Sequence, residues 1–163
     1  MCLGLSWGPA SCGATSNSAW NFTRTRGLPR LSWTRSRTAI ALWDVFLSEV
    51  GDYVQVAAQG DDVGMQTETY VRPEMYRKFI KPRQRRIFDF IHSKAAVKVF
   101  FHSCGSVYDL IPDFIEIGGD VLNPIQRSAA KMDLVRLKRE FGDDVCFWGG
   151  GIGVQQVLPF ATL

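Results

Sequence analysis

His102 and Cys104 are the residues of this chain best suited to chemistry. They close the run Val97-Lys-Val-Phe-Phe-His-Ser-Cys-Gly105. Val97, Val99, Phe100 and Phe101 give that run the β-branched and aromatic character of a buried strand. Successive strand side chains point to opposite faces, so a spacing of two puts the imidazole and the thiol on one face at the strand's exit. Imidazole nitrogen and thiolate sulfur are both zinc ligands. A catalytic zinc takes three protein ligands and keeps a fourth position open, so the pair supplies only part of a site. The plainer alternative is a strand-end histidine bonded to backbone beside a buried, inert cysteine.

The elements that must position this pair follow from the texture around it. Leu42, Trp43, Val45, Phe46 and Leu47 read as the end of an amphipathic helix closed near Gly51. A strand is expected over residues 53–58, with Gly60-Asp-Asp-Val-Gly64 as the loop at its exit. Pro73 and Glu74 open the next helix, whose apolar face runs through Tyr76, Phe79, Ile80, Ile87, Phe90 and Ile91, with Pro82 expected to kink or restart it. After the central strand, Val107, Leu110, Ile111, Phe114 and Ile115 keep helical spacing until Gly118 and Gly119. A short strand over 120–124 leads to Asn123 and Gln126 at its exit. Leu134, Leu137 and Phe141 mark another helix, residues 145–148 a further strand that ends on Gly149-Gly-Gly151, and residues 155–158 the start of one more helix. Cys146 is expected in the core.

Alternating strands and helices imply right-handed crossovers and a parallel sheet. Polar or glycine residues follow every strand: Asp61 and Asp62, His102 and Cys104, Asn123 and Gln126, and the glycine run. In parallel α/β folds the active site lies at the C-terminal ends of the strands. Asp61, Asp62, Asn123 and Gln126 are therefore candidates for substrate binding or for orienting another group; loop capping and turn hydrogen bonds are the ordinary alternatives.

The 163 residues suit one domain, and the net charge of +3 is unevenly spread. Residues 1–42 carry five arginines and no acid, whereas the rest is slightly acidic, which leaves no basic surface in the folded part to suit nucleic acid. Four irregularly spaced cysteines indicate no disulfide framework, and a reducing, cytoplasmic setting is expected. No apolar run reaches the ~20 residues of a membrane span. Residues 1–41 show neither a strand nor a helix period, despite Trp7, Trp20 and Trp33. They are expected to be irregular, either arginine-rich like a transit peptide or, because they are not amphipathic, out-of-frame. The folded unit is expected over 42–163.

Several segments in order resemble the uroporphyrinogen decarboxylase superfamily: Gly60-Asp-Asp-Val-Gly64, Tyr76-Arg-Lys-Phe-Ile-Lys-Pro-Arg83, Phe101-His-Ser-Cys-Gly-Ser-Val107, Leu110-Ile-Pro-Asp-Phe-Ile-Glu-Ile-Gly118, Asp120-Val-Leu-Asn-Pro-Ile-Gln126 and Phe147-Trp-Gly-Gly-Gly151. The resemblance implies an α/β fold that is part of a (β/α)₈ barrel, about four β/α units, matching the fourth to seventh strands. It also implies kinship with the branch whose His-x-Cys pair holds zinc and which moves methyl groups between corrinoid proteins and thiols such as coenzyme M. On that reading His102 and Cys104 are metal ligands, the third ligand lies beyond Leu163, and a methyl-corrinoid is co-substrate. The runner-up is decarboxylation of a tetrapyrrole without metal or cofactor. That reaction needs cations for several carboxylates, and Arg83, Arg85 and Arg86 are expected to be solvated on a helix. The third reading is a partial barrel inactive by itself, with an open sheet edge.

Overall fold

The computed structural model describes residues 28–153 and 157–160. The first described element is helix α1 (Leu28–Val50), followed by a 3₁₀ turn (Gly51–Tyr53) and strand β1 (Val56–Gly60). Helix α2 (Pro73–Met75) runs through a π turn (Tyr76–Ile80) into α3 (Lys81–Lys94), which leads to β2 (Lys98–His102). A 3₁₀ turn (Tyr108–Leu110) precedes α4 (Ile111–Glu116) and β3 (Val121–Asn123). Helix α5 (Leu134–Phe141), β4 (Cys146–Phe147) and a last turn α6 (Val157–Phe160) complete the order.

The four strands form one sheet in the order β1-β2-β3-β4, every neighbouring pair parallel. The order never reverses, so there is no switch point of the doubly wound kind. This is the winding of a (β/α)₈ barrel, of which the chain provides four β/α units. Residues Ala57, Gln59, Val99, Phe101 and Leu122 alternate onto the face covered by helices and are buried. Phe101 packs against Phe88 of α3 and Phe114 of α4, at ring-centroid distances of 5.5 and 4.9 Å. The opposite face carries Ala58, Phe100, His102, Asn123, Cys146 and Trp148; in a closed barrel it lines the interior.

Local rules explain most boundaries. Pro82 sits in the first turn of α3, where its missing N–H costs nothing, and the π turn just before it absorbs the expected break. Pro112 plays the same part in α4. Asp133 caps α5 by accepting the Arg136 N–H at 2.8 Å.

Several expectations need correction. The first strand lies at Val56–Gly60, shifted from residues 53–58; Gly51–Tyr53 winds as a 3₁₀ turn with Tyr53 exposed. Residues 28–41, expected to be irregular, are helical, with Ser36 and Ala39 buried. The buried stripe of that helix is Ala39, Trp43 and Leu47, each four residues on from the last; Leu42 and Val45 face outward. Arg83 is buried, because the inner stripe of α3 is Arg83, Gln84, Ile87, Phe88 and Ile91. Cys146 is exposed: paired with Val121 on the edge strand β4, it lies on the uncovered sheet face. The arginine-rich segment 1–27 and the expected helix start at Gln155 lie outside the described residues.

Candidate metal centre

The sheet register aligns Gly60, His102 and Asn123 across β1, β2 and β3, all on the uncovered face at the C-terminal end of the strands. His102 Nδ1 lies 2.8 Å from Asn123 Oδ1. The same amide donates from Nδ2 to the Trp148 carbonyl at 2.9 Å. A carbonyl can only accept, so Nδ2 must face Trp148 and Oδ1 must face the imidazole. His102 Nδ1 therefore donates to the Asn123 amide, which turns Nε2 toward the loops after β1 and β2. His102 Nε2 is 3.5 Å from Cys104 Sγ and 3.9 Å from Asp62 Oδ1. Donor atoms of Asp62, His102 and Cys104 all lie within 4.8 Å of one another. The three donors are of the kinds zinc takes, and their spacing fits one ion.

The backbone around His102 and Cys104 is tied down at successive residues. Val63 N–H donates to Ser103 Oγ at 3.1 Å, and Ser103 N–H to the Asn123 carbonyl at 2.8 Å. Cys104 N–H donates to Asp62 Oδ1 at 2.9 Å, Gly105 N–H to Gln126 Oε1 at 2.9 Å, and Ser106 N–H to the Met65 carbonyl at 2.7 Å. Gln126 is held in turn by donating to Gln66 Oε1 at 2.8 Å. Loops from β1 and β3 thus clamp the loop after β2 from both sides. Gly105 has φ +86°, and a Cβ there would lie 2.6 Å from Gly64 C and from Met65 O. Two backbones touch at this point with no flexible side chain to yield. Gly105→Ala is expected to cost about 2 kcal/mol, read as a lowered urea midpoint, from the left-handed φ and the clash together.

Residues 36–150 match the family model of uroporphyrinogen decarboxylase (URO-D). The chain belongs to the uroporphyrinogen decarboxylase family. No curated protein matches it, and no solved structure does. The URO-D match starts within α1 and so takes in part of the segment expected to be foreign.

All the residues singled out from the URO-D motifs gather at one end of the sheet, with different employments. His102, Cys104 and Asp62 converge, and Asn123 orients the first of them. Gln126 buttresses Gly105. Asp61 accepts from Gln84 Nε2 at 3.1 Å, and Gln84 accepts from the buried Tyr76 hydroxyl at 2.6 Å, a link from the helix layer to the loop after β1. His102 bonds the Asn123 side chain where backbone is the ordinary alternative, and Cys104 is half-buried. Burial pushes the Cys104 thiol pKa up, and the nearby Asp62 carboxylate pushes it further the same way. The glycine run after β4 forms a tight turn, with φ +99° at Gly149 and +86° at Gly150.

Sequence reasoning missed Ser103, Gln84 and Trp148. Ser103 carried a usable signal: strand alternation turns it away from His102 and Cys104 toward the helices, where a buried hydroxyl must find a partner. The Trp148 carbonyl carried none, since a backbone group leaves no mark in composition.

Proposed function

We propose that this URO-D family chain carries the thiol-activating centre of a zinc-dependent methyltransferase, which moves a methyl group from a corrinoid to a small thiol. The observation that carries the reading is the approach of His102 Nε2 to Cys104 Sγ at 3.5 Å, with the imidazole held through Nδ1 by the Asn123 amide. His102 and Cys104 would hold the metal. Bound there, zinc supplies the charge that converts a substrate thiol to thiolate at neutral pH. The chain's own residues position and shield. Asn123 sets the tautomer, Asp62 and Gln126 fix the loop that carries Cys104, and Phe100 with Trp148, ring centroids 5.7 Å apart, forms an apolar wall on the same sheet face. A corrinoid-binding protein is the expected partner and methyl source.

Decarboxylation of a tetrapyrrole is less well supported. Its several carboxylates need cations near the strand exits, but Arg77 and Arg85 are engaged with Asp113 and Glu116 on the helical side.

The test is to give the zinc-loaded full chain methylcobalamin and a small thiol and follow the cobalamin spectrum. Demethylation that needs both thiol and zinc is the expected result; metal-independent decarboxylation of uroporphyrinogen in place of methyl transfer contradicts it. Asn123→Ala is expected to weaken zinc binding about 10–100-fold, the usual cost of losing the group that orients a ligating histidine. A competition titration against a chelator reads that loss.

A further inference from the structure

We propose that Gln84 is a positioning residue of this centre: from the buried helix layer it fixes the loop after β1, and through that loop the segment that carries His102 and Cys104. The inference rests on His102 and Cys104 holding the metal. It goes beyond that reading by assigning the support of the pair to a side chain of α3, on the helix-covered side of the sheet.

Three observations carry it. The first is burial. Gln84 is 5% exposed and Tyr76 is fully buried. A primary amide at that depth is kept where both its donor and its acceptor are used. Gln84 Nε2 donates to Asp61 Oδ2 at 3.1 Å, and Gln84 Oε1 accepts from the Tyr76 hydroxyl at 2.6 Å. A carboxylate only accepts, so the amide has this one orientation that serves both neighbours. Burial above all, and then the Asp113 and Asp61 charges, push the Tyr76 pKa up, so the hydroxyl keeps its proton and stays a donor. The second observation is anchorage. Tyr76 opens the π turn that runs into α3, and its ring packs edge-on against Phe114 of α4 at 5.9 Å. Arg77, the next residue, and Lys81 both hold Asp113 of α4. The relay thus starts from a fixed point in the helix layer. The third observation is where it ends. Asp61 N–H donates to the His102 carbonyl at 3.0 Å, Asp62 Oδ1 accepts from the Cys104 N–H at 2.9 Å, and Val63 N–H donates to Ser103 Oγ at 3.1 Å. Asp61, Asp62 and Val63 in this way hold His102, Ser103 and Cys104, and the Gln84 bond ties that ladder to the helices. A ligand pair keeps its spacing only while the loops beside it are held.

A relay that served stability alone would leave metal binding untouched, and substitutions at its two ends separate the roles. Gln84→Leu removes both bonds at similar volume. Asp61→Ala removes the acceptor, whereas Asp61→Asn keeps a carbonyl oxygen for Gln84. Asp61 is exposed, so its variants keep the test decisive if Gln84→Leu fails to fold. The experiment is a Zn²⁺ titration of the full chain against a chelator, with thermal melts and amide exchange at Cys104 on the metal-free protein. Gln84→Leu and Asp61→Ala are each expected to bind Zn²⁺ about 10–100-fold more weakly, and the double variant no more weakly than either, because both cut one link. Exchange at the Cys104 N–H should quicken in all three, while Asp61→Asn keeps the wild-type affinity. If the variants melt lower but bind Zn²⁺ as wild type does and exchange at Cys104 at the same rate, while His102→Ala loses the metal, this inference alone is overturned. If the wild type takes up no Zn²⁺, the centre falls and the inference with it.

Discussion

Replacing His102 by alanine is expected to weaken zinc binding by about a thousandfold or more, the largest single effect at the centre. A first-layer ligand contributes more than the 10–100-fold of the groups that orient it. The fold should survive. The His102 ring is half-exposed on the uncovered sheet face, and its recorded polar neighbours are the Asn123 amide, Cys104 and Asp62. Asn123 is itself half-buried and still donates to the Trp148 carbonyl, so no polar group is sealed away unpaired. The unfolding free energy of the metal-free variant should therefore stay within about 0.5 kcal/mol of wild type. A chelator competition together with a urea melt reads both quantities on one sample.

The second large effect lies away from the site. Asp113 is buried on α4, with only 5% of its side chain exposed, and it ties the π turn and α3 to α4. Arg77 Nε reaches both carboxylate oxygens at 3.1 and 3.0 Å, and Lys81 Nζ donates at 2.8 Å. Lys81 and Arg85 also pair with Glu116, which closes a network across the two helices. Asp113→Ala removes the carboxylate shared by the half-exposed Arg77 and by Lys81, which keeps Glu116, so the loss of these charged hydrogen bonds should cost about 2 kcal/mol in a urea melt. The pH dependence follows the same chemistry. Burial acts to raise the Asp113 pKa, but the hydrogen bonds from Arg77 and Lys81 outweigh it and hold the carboxyl below its ordinary value. A carboxylate with a depressed folded pKa stabilises the fold above its unfolded pKa of about 3.9 and loses that contribution as pH falls through the folded value. Wild-type stability should thus fall by more than that of the Asp113→Ala variant as pH drops below about 4, a difference that melts at successively lower pH would show.

The fold class was legible because parallel α/β architecture writes itself in alternating periods. Val97 to Phe101 could only be a buried strand, and the chemistry-bearing residues after each strand told which end held the site. What escaped was register and the identity of backbone partners. Alternation gives the face on which His102 and Cys104 lie, but it does not say which residue of β1 stands beside them. That Gly60 pairs with His102, and so carries Asp62 to Cys104, depends on contacts across the sheet. The tautomer of His102 depends on the Trp148 carbonyl, which side-chain identity does not reveal. Arg83 and Cys146 depart from expectation for matching reasons. Arg83 is a polar type on the inner stripe of α3, and Cys146 is an apolar type on a strand at the sheet edge. In both, packing overrode residue type.

X-ray absorption at the zinc edge of the loaded full chain tests the central claim most directly. One sulfur at about 2.3 Å with the remaining ligands nitrogen or oxygen at about 2.0–2.2 Å is the predicted shell, with the sulfur lost in Cys104→Ser. A shell without sulfur, or one that Cys104→Ser leaves unchanged, would contradict a zinc centre built on His102 and Cys104.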